Sequence, residues 1–489
     1  MHSARRRRSR SRVVWMCSRR GKQLDIEKII LIYPERDGRI WGRAQGSPYT
    51  LMRLASLVPD DLPVEIWDED LHSLPIHRLG PRDLVGITSK TLSIDRAKEI
   101  ALRIRARGST VAVGGTHATL IPEEVSQWAD ITVVGEAYRT WPEIIYDVAH
   151  DTARRIYVDQ EWHSLDGIAR LTDRVIKMVG EHRNYWTPYM EITRGCPRDC
   201  TFCTAIRVSG RVMRHRPIAE VVEEIERRRI KRFFLTDDNF GLNFRTNPEY
   251  IVQLFDALAR LNLNGWTAQA EMMVGNFPEL LSLARRAHLE KFFIGFESIN
   301  STNRRDLGGK SKGNVDEYRR IIKAIHAHGI GVVGLFVLGL DGDTTDVFES
   351  TWDFVRESEL DSVSFTIMTP YPGTELRREY EEQGRLLPNI PWSMYDTAHV
   401  VFKPARMTTD ELRRGYDWVC RKAYSPRSIA ARGLRTLRRH PVEKYQRRLF
   451  SSFSTDLGYR KTVSYREQEH DFRWHTPPHL TGISNRQTE

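Results

Sequence analysis

The sequence predicts an α/β protein: a doubly wound parallel sheet, then six β/α units forming a partial barrel, then a helical, basic region. Three observations lead there. Short runs rich in Ile, Val and Leu alternate with helix-length segments twice along the 489 residues. That length exceeds one ordinary core, so two or three domains are expected. No apolar run reaches the roughly 18–20 residues of a membrane-spanning helix. The longest stretches are strand-sized, as at 329–340.

Residues 1–24 are a basic tail, with nine Arg or Lys and no acid in the first 22. No apolar stretch of signal-peptide length follows these charges, and no aromatic pattern supports nucleic-acid binding, so a disordered segment is expected. Strands are expected at 27–33 (EKIILIY), 64–67, 83–88 (DLVGIT), 110–113 and 131–134, with helices at 47–57 and 94–107. Residues 25–150 thus form a doubly wound, flavodoxin-like domain, which binds ligands at the carboxyl ends of its strands. Residues 151–185, of mixed polarity with one hairpin-like piece, read as a linker.

A second alternation fills 186–387. Strands are expected at 189–193, 232–235, 266–270, 291–296, 332–338 and 362–368. Helices are expected at 217–228, 248–261, 277–288, 315–328, 343–357 and 374–383, two of them with proline in the first turn. Six such units imply a partial or full parallel barrel with its active site at the strand carboxyl ends. Residues 388–489 are helical, polar and basic, and 427–448 hold eight Arg or Lys against one Glu. The formal net charge is +11, yet without the two basic segments the remainder is net acidic. The basic balance therefore belongs to those segments and does not mark a nucleic-acid-binding core.

Of the five cysteines, Cys196, Cys200 and Cys203 fall within eight residues, while Cys17 and Cys420 stand far apart. An odd, clustered set argues against a disulfide framework and for a metal site in a reducing compartment, the cytoplasm. The C-x3-C-x2-C spacing sits on the loop after the strand expected at 189–193. Thiolates are the usual ligands of iron–sulfur clusters, and three ligands on four irons leave one iron open to chemistry. A zinc site is the alternative. It wants four ligands, and the nearest His is His215, outside the loop.

The segment 191–203 (EITRGCPRDCTFC) resembles the signature of the radical S-adenosylmethionine (SAM) superfamily, with Phe202 as the aromatic before the third cysteine. Over 189–387 the resemblance implies a (β/α)6 partial TIM barrel and a [4Fe–4S] cluster on Cys196, Cys200 and Cys203. The open iron then chelates SAM, whose reductive cleavage yields a 5′-deoxyadenosyl radical. The resemblance also implies that Asp237 and Asp238 meet the methionine amino group and that Glu297 and Ser298 meet the ribose or carboxylate. Gly334 falls where the fifth strand lines the adenine. The alternatives are a solvated capping loop for the two aspartates and a buried structural acid for Glu297.

Upstream, Gly114-Gly115-Thr116-His117-Ala118-Thr119 and Val134-Gly135-Glu136 follow buried strands, where glycine lets backbone approach a ligand closely. Alone, these are ordinary for a flavodoxin-like domain, and His117 would be a loop histidine. Joined with Ile87-Thr88-Ser89, Thr140-Trp141-Pro142-Glu143, Tyr371-Pro372-Gly373-Thr374 and 399–404 (HVVFKP), they resemble the cobalamin-binding class of radical SAM enzymes. That resemblance implies cobalamin at Thr88, Ser89, Gly114, Gly115, Thr116, His117, Gly135 and Glu136. The Asp-x-His-x-x-Gly motif of cobalamin mutases is missing, since 68–72 (DEDLH) lacks its spacing and glycine. Members of the radical SAM class commonly lack it too.

The expected function is a SAM- and cobalamin-dependent C-methyltransferase acting on an unactivated carbon of a lipid, tetrapyrrole or natural product. Flavodoxin or ferredoxin is the expected reductant, and no nucleic-acid partner is expected. One alternative is a non-methylating relative, an oxidative cyclase or ring-contracting enzyme. Another is a non-catalytic corrinoid-binding protein, which would leave the cysteine loop unexplained. In the basic block, Ile429, Ala430, Leu434 and Leu437 fall near one helical face, with Arg432, Arg435, Arg438 and Arg439 around the rest. This pattern suits peripheral contact with an anionic membrane, or a solvated helix covering the barrel.

Overall fold

The computed structural model describes residues 26–35, 44–159, 161–168, 170–304, 315–438 and 456. The basic tail and most of 439–489 lie outside them. Two six-stranded parallel sheets organise the chain. In the first, the order is Val64–Asp68, Lys28–Tyr33, Asp83–Thr88, Thr110–Gly114, Ile131–Gly135, Ile156–Asp159. Its strands read as continuous apolar runs because both faces are covered. Along Lys28–Tyr33, Ile29 and Leu31 enter one apolar cluster while Ile30 and Ile32 enter another on the opposite face. The strand order reverses between Lys28–Tyr33 and Asp83–Thr88, which makes the crevice beyond their carboxyl ends the expected ligand position.

The sixth strand corrects the sequence reading. Residues 151–185, expected as a linker, supply Ile156–Asp159, which pairs in parallel with Ile131–Gly135. At its end the segment runs into Tyr185–Thr187, which pairs in parallel with Ala44–Gly46. Ile156–Asp159 was hidden by its polar flanks and by its edge position, where Ile156 and Val158 face outward.

The second sheet runs Tyr189–Met190, Arg232–Leu235, Gly265–Ala270, Leu289–Glu297, Gly331–Leu338, Ser362–Ile367, all parallel. It is the partial barrel. Helices Ile218–Arg227, Pro248–Ala259, Pro278–Arg286, Val315–Ala327, Val347–Glu357 and Glu375–Glu382 follow its strands in turn. Phe233, Leu235, Trp266, Ala268, Phe292 and Ile294 pack under these helices in one core. The intervening Phe234, Gln269, Phe293, Glu297, Leu335, Val337 and Thr366 stay partly accessible, on the face turned away from the helices. The expected strand 189–193 is split. Its second part, Thr193–Arg194, turns to pair antiparallel with Arg214–His215.

Helix Tyr49–Ala55 joins the two halves through buried charge. Glu224 accepts from Tyr49 Oη at 2.8 Å, Arg216 at 2.8 Å and Arg228 at 2.6 Å, and Arg228 also reaches Glu181 at 2.5 Å. Burial raises the Glu224 carboxyl, but Arg216, Arg228 and Arg53 outweigh it and bring it to about 2. Beyond the barrel, Thr409–Ala423 begins with a Thr408/Glu411 capping box and is followed by Pro426–Arg438. Among the described residues no helix is long and apolar enough to cross a membrane.

Candidate active site

The cysteine loop hangs from the Thr193–Arg194/Arg214–His215 hairpin, at the carboxyl end of the barrel's first strand. Gly195 adopts φ +96°, and a Cβ there would stand 2.2 Å from the Val212 carbonyl oxygen, so only glycine fits. Cys196 N–H donates to Gly210 O at 3.1 Å, and Leu376 N–H donates to Thr201 O at 3.0 Å. Asp199 pairs with Arg211 across the loop, and Arg198 pairs with Glu271 at 2.7 Å. Cys196 and Cys200 are buried and Cys203 partly so. Burial, then the nearby Cys200 and Cys196 sulfurs, pushes the Cys203 thiol up to about 11. Cys196 and Cys200 are near enough to act on Cys203, although among the described residues no three His, Cys, Asp or Glu side chains are drawn together tightly enough to hold a single metal ion. Thiols become thiolates when a cation sits among them, and thiolate-bound iron meets that demand. The donor set fits an iron–sulfur cluster. Asn239 Nδ2 lies 3.9 Å from Cys196 Sγ and donates to Glu271 at 2.7 Å.

The acids and glycines assigned to SAM divide. Asp238 Oδ2 accepts Gly195 N–H at 3.1 Å, beside the cysteine loop, and Phe202 packs partly buried against the barrel core. Glu297 ends its strand at φ +57°, and a Cβ on Gly295 would meet its Oε1 at 2.3 Å, so the carboxylate folds back over the strand end. Asp237, Ser298 and Gly334 are turned elsewhere. Asp237 is 1% exposed and accepts from Ile192 N, Thr193 N and Thr193 Oγ1 at 2.9, 2.6 and 2.6 Å, pinning the start of the loop. Ser298 is buried and accepts Asn300 N at 3.0 Å and Asn303 Nδ2 at 2.9 Å inside its turn. At Gly334, Leu360 stands 2.8 Å from where a Cβ would be, so packing alone already requires glycine there.

The amino-terminal set divides in the same way. Gly115 (φ +100°) and Gly135 (φ +95°) bring bare backbone to the sheet's carboxyl edge, where Thr88, Gly114 and Thr116 are also partly accessible. A Cβ on Gly135 would collide with Asp159 O at 1.7 Å. Ser89 turns inward, its Oγ donating to Gly114 O at 2.8 Å. His117 is fully buried, with Nδ1 3.3 Å from Thr91 Oγ1, Nε2 3.6 Å from Glu124, and its ring against Trp392. It packs between the sheet and the carboxy-terminal region.

Glu136 has the most informative surroundings. Its carboxylate receives Arg214 at 2.6 and 3.1 Å and Arg194 at 3.1 Å, both on the hairpin that carries the cysteines. Arg194 also holds Glu191 at 2.7 Å and Tyr138 Oη at 2.9 Å. Burial raises Glu191, yet Arg194 brings it below the usual carboxylate range. Glu136, expected at the cofactor site, clasps the cysteine hairpin to the first sheet. Arg194 and Arg214 went unnoticed in the sequence, although Arg194 lies two residues before Cys196. Lys90 and Tyr33 were also missed. They hydrogen-bond at 2.7 Å at the ends of the two strands flanking the switch point, where a polar ligand group would meet them.

Residues 190–355 match the radical SAM superfamily. Over 372 residues, 72% of this chain and 80% of the relative, the sequence is 31% identical to bacteriochlorophyllide d C-8(2)-methyltransferase of Chlorobaculum tepidum. The chain belongs to the radical SAM superfamily. Within this superfamily it is also 28% identical over 423 residues to bacteriochlorophyllide d C-12(1)-methyltransferase of the same organism, covering 84% of this chain and 90% of the relative. Its fold is similar to that of the radical SAM methyltransferase TsrM from Kitasatospora setae, solved with cobalamin and a [4Fe–4S] cluster bound. That likeness has a TM-score of 0.62 at 14% identity and covers 90% of this chain and all of the other. The protein is thus a radical SAM enzyme with a doubly wound domain ahead of the barrel.

Proposed function

We propose that the enzyme is a SAM- and cobalamin-dependent C-methyltransferase acting on an unactivated carbon of a lipid, tetrapyrrole or natural product. One observation carries the reading: Glu136, at the ligand edge of the first sheet, is bonded to both arginines of the cysteine hairpin. Two ligand-bearing edges held together suit a reaction that needs two cofactors on one substrate carbon. When bound, the cluster with SAM supplies a hydrogen-abstracting radical and cobalamin supplies the methyl group. Cys196, Cys200 and Cys203 would hold the cluster, and Gly115, Thr116, Gly135, Lys90 and Tyr33 would face the corrinoid. Asp237, Asp238 and Glu136 position the loop, and the partly accessible barrel face led by Phe234, Gln269, Phe293 and Val337 offers substrate a mostly apolar, water-poor surface. A low-potential one-electron carrier such as flavodoxin or ferredoxin would supply the reducing electron. The segments 25–150 and 186–387 would be the corrinoid and SAM units.

Anaerobically reconstituted protein, given SAM, methylcobalamin, titanium(III) citrate and a panel of bacteriochlorophyllides and other tetrapyrroles, hopanoid lipids and natural-product precursors, tests the reading. A substrate gaining one methylene, with S-adenosylhomocysteine and 5′-deoxyadenosine in about equal amounts, is expected, because each turnover uses two SAM molecules. Deoxyadenosine without S-adenosylhomocysteine, and a product of unchanged carbon count, would move the assignment to a non-methylating radical SAM reaction.

A further inference from the structure

A cavity of about 650 Å³ opens where helix Pro426–Arg438 crosses Val347–Glu357 and Thr409–Ala423. Six of the twelve residues lining it are Arg or Lys, two are Trp and none is acidic. The nearby acids Asp353 and Glu357 are engaged at 2.9 Å by Arg356 and at 2.7 Å by Arg319. Arg432 is held inward by Asp456 at 2.8 Å, whereas Arg421, Lys422 and Arg427 are exposed. Lys422 lies over the Trp418 ring at 5.6 Å. Trp352 and Trp418 are half-buried, packed against the barrel core with one side left to the cavity. A concave surface lined by no acid, with exposed cations and half-buried indoles, selects an anion that carries apolar substance with it.

The orientation of the last helix narrows the choice. Ile429, Arg432, Gly433 and Thr436 face the barrel, and Thr436 Oγ1 donates to Asp361 at 2.8 Å. The expected apolar face is therefore divided: Ile429 is core, while Ala430 and Leu434 look outward with the neighbouring Ala431, Leu434 at 55% exposure. The side chains of Leu437, Arg438 and Arg439 lie outside the described ones. Leu434 lies outside the cavity lining but on the same helix, one residue from the lining Arg435. An exposed leucine on the helix that walls a basic, tryptophan-bearing cavity is the composition of an interfacial surface, with alkyl chains at headgroup depth and cations on phosphates. Asp361 precedes the strand Ser362–Ile367, so the cavity lies toward the amino ends of the barrel strands, away from the cysteine loop.

We propose that this cavity binds the phosphate headgroup of an anionic phospholipid and seats the enzyme on a membrane surface. The phosphate is the recognised group. The exposed Leu434 and the indoles favour a lipid over a soluble phosphate or an acidic protein.

The test is co-sedimentation of the full-length, reconstituted enzyme with vesicles, which needs neither substrate nor turnover and so stands apart from the methyl-transfer assignment. Phosphatidylglycerol/phosphatidylcholine vesicles should retain the protein at low salt and release it at high salt, and pure phosphatidylcholine should not retain it. Lys422→Glu with Arg427→Glu should weaken retention about tenfold or more, at roughly 1 kcal/mol per basic residue near lipid. Deoxyadenosine formation and Tm should stay unchanged. Trp418→Ala should weaken retention with every positive charge in place. Retention unaltered in both variants, or equal on neutral vesicles, would overturn the proposal. So would failure to bind vesicles combined with binding of inorganic phosphate, or of polyglutamate, that the double variant abolishes.

Discussion

The Glu136 carboxylate and the Arg214 guanidinium meet in two hydrogen bonds, at 2.6 and 3.1 Å. They tie the end of the strand Ile131–Gly135 to the hairpin that carries the cysteines. Both side chains are under a tenth exposed, so solvent screens the pair little. Glu136→Gln should therefore loosen the two halves without removing a cluster ligand. Iron content and deoxyadenosine formation should persist, while the ratio of S-adenosylhomocysteine to deoxyadenosine falls about tenfold, the equivalent of ~1.4 kcal/mol. Hydrogen exchange across 193–215 should rise in parallel. An unchanged ratio and unchanged exchange would remove Glu136 from the positioning role.

Cysteine replacement separates ligands from bystanders. Cys196→Ala, Cys200→Ala and Cys203→Ala should each abolish the broad thiolate–iron absorption and SAM cleavage, with wild-type protein holding about four irons per chain. Cys420, buried in the helix Thr409–Ala423, should lose only about 1 kcal/mol of packing on change to Ala. Cys17→Ala should keep the cluster as well; that residue lies outside the described residues. Iron analysis and absorption spectra check all five.

Acid should expose the interface network. Glu224 sits at about 2, below its unfolded value near 4.3–4.5, so its stabilisation is complete above that value and is lost as pH falls toward 2. The size is about 3 kcal/mol. Thermal unfolding followed from pH 6 to pH 3 should show a steep fall in Tm for wild type. Glu224→Gln should start lower and fall less.

The two positive-φ glycines at the first sheet's edge probe geometry before chemistry. At Gly115 a Cβ would stand 2.6 Å from Ser89 O, and at Gly135 the clash with Asp159 O is closer still. Gly115→Ala and Gly135→Ala should each cost more than the roughly 1–2 kcal/mol of backbone strain alone, because a backbone carbonyl must move to admit the methyl group, and Gly135→Ala should cost the more. Titration with hydroxocobalamin should show weakened corrinoid binding in both. A bulkier change such as Gly115→Trp would unmake the turn itself and report on folding more than on the cofactor.

Most of the architecture was legible because parallel strands covered on both faces are written as apolar runs, as in 27–33 and 83–88. Three thiols in one loop were legible because their chemistry is local. What escaped was decided by partners distant in sequence. Glu136 finds Arg214 across 78 residues, and Trp392, which follows the barrel in the chain, closes over His117. A carboxylate's letter does not say whether backbone donors will fill it, as Ile192 and Thr193 fill Asp237. Nor does a glycine's letter tell ligand approach from packing: the closeness of Leu360 to Gly334 could not be read from the sequence.

The cysteine loop takes its shape from contacts that owe nothing to iron: Gly210 O on Cys196 N–H, Asp238 on Gly195, Arg211 on Asp199, Leu376 on Thr201. These ties come from separate stretches of the chain, so a displacement as remote as one of the helix Glu375–Glu382 can shift where the sulfurs stand without touching a sulfur.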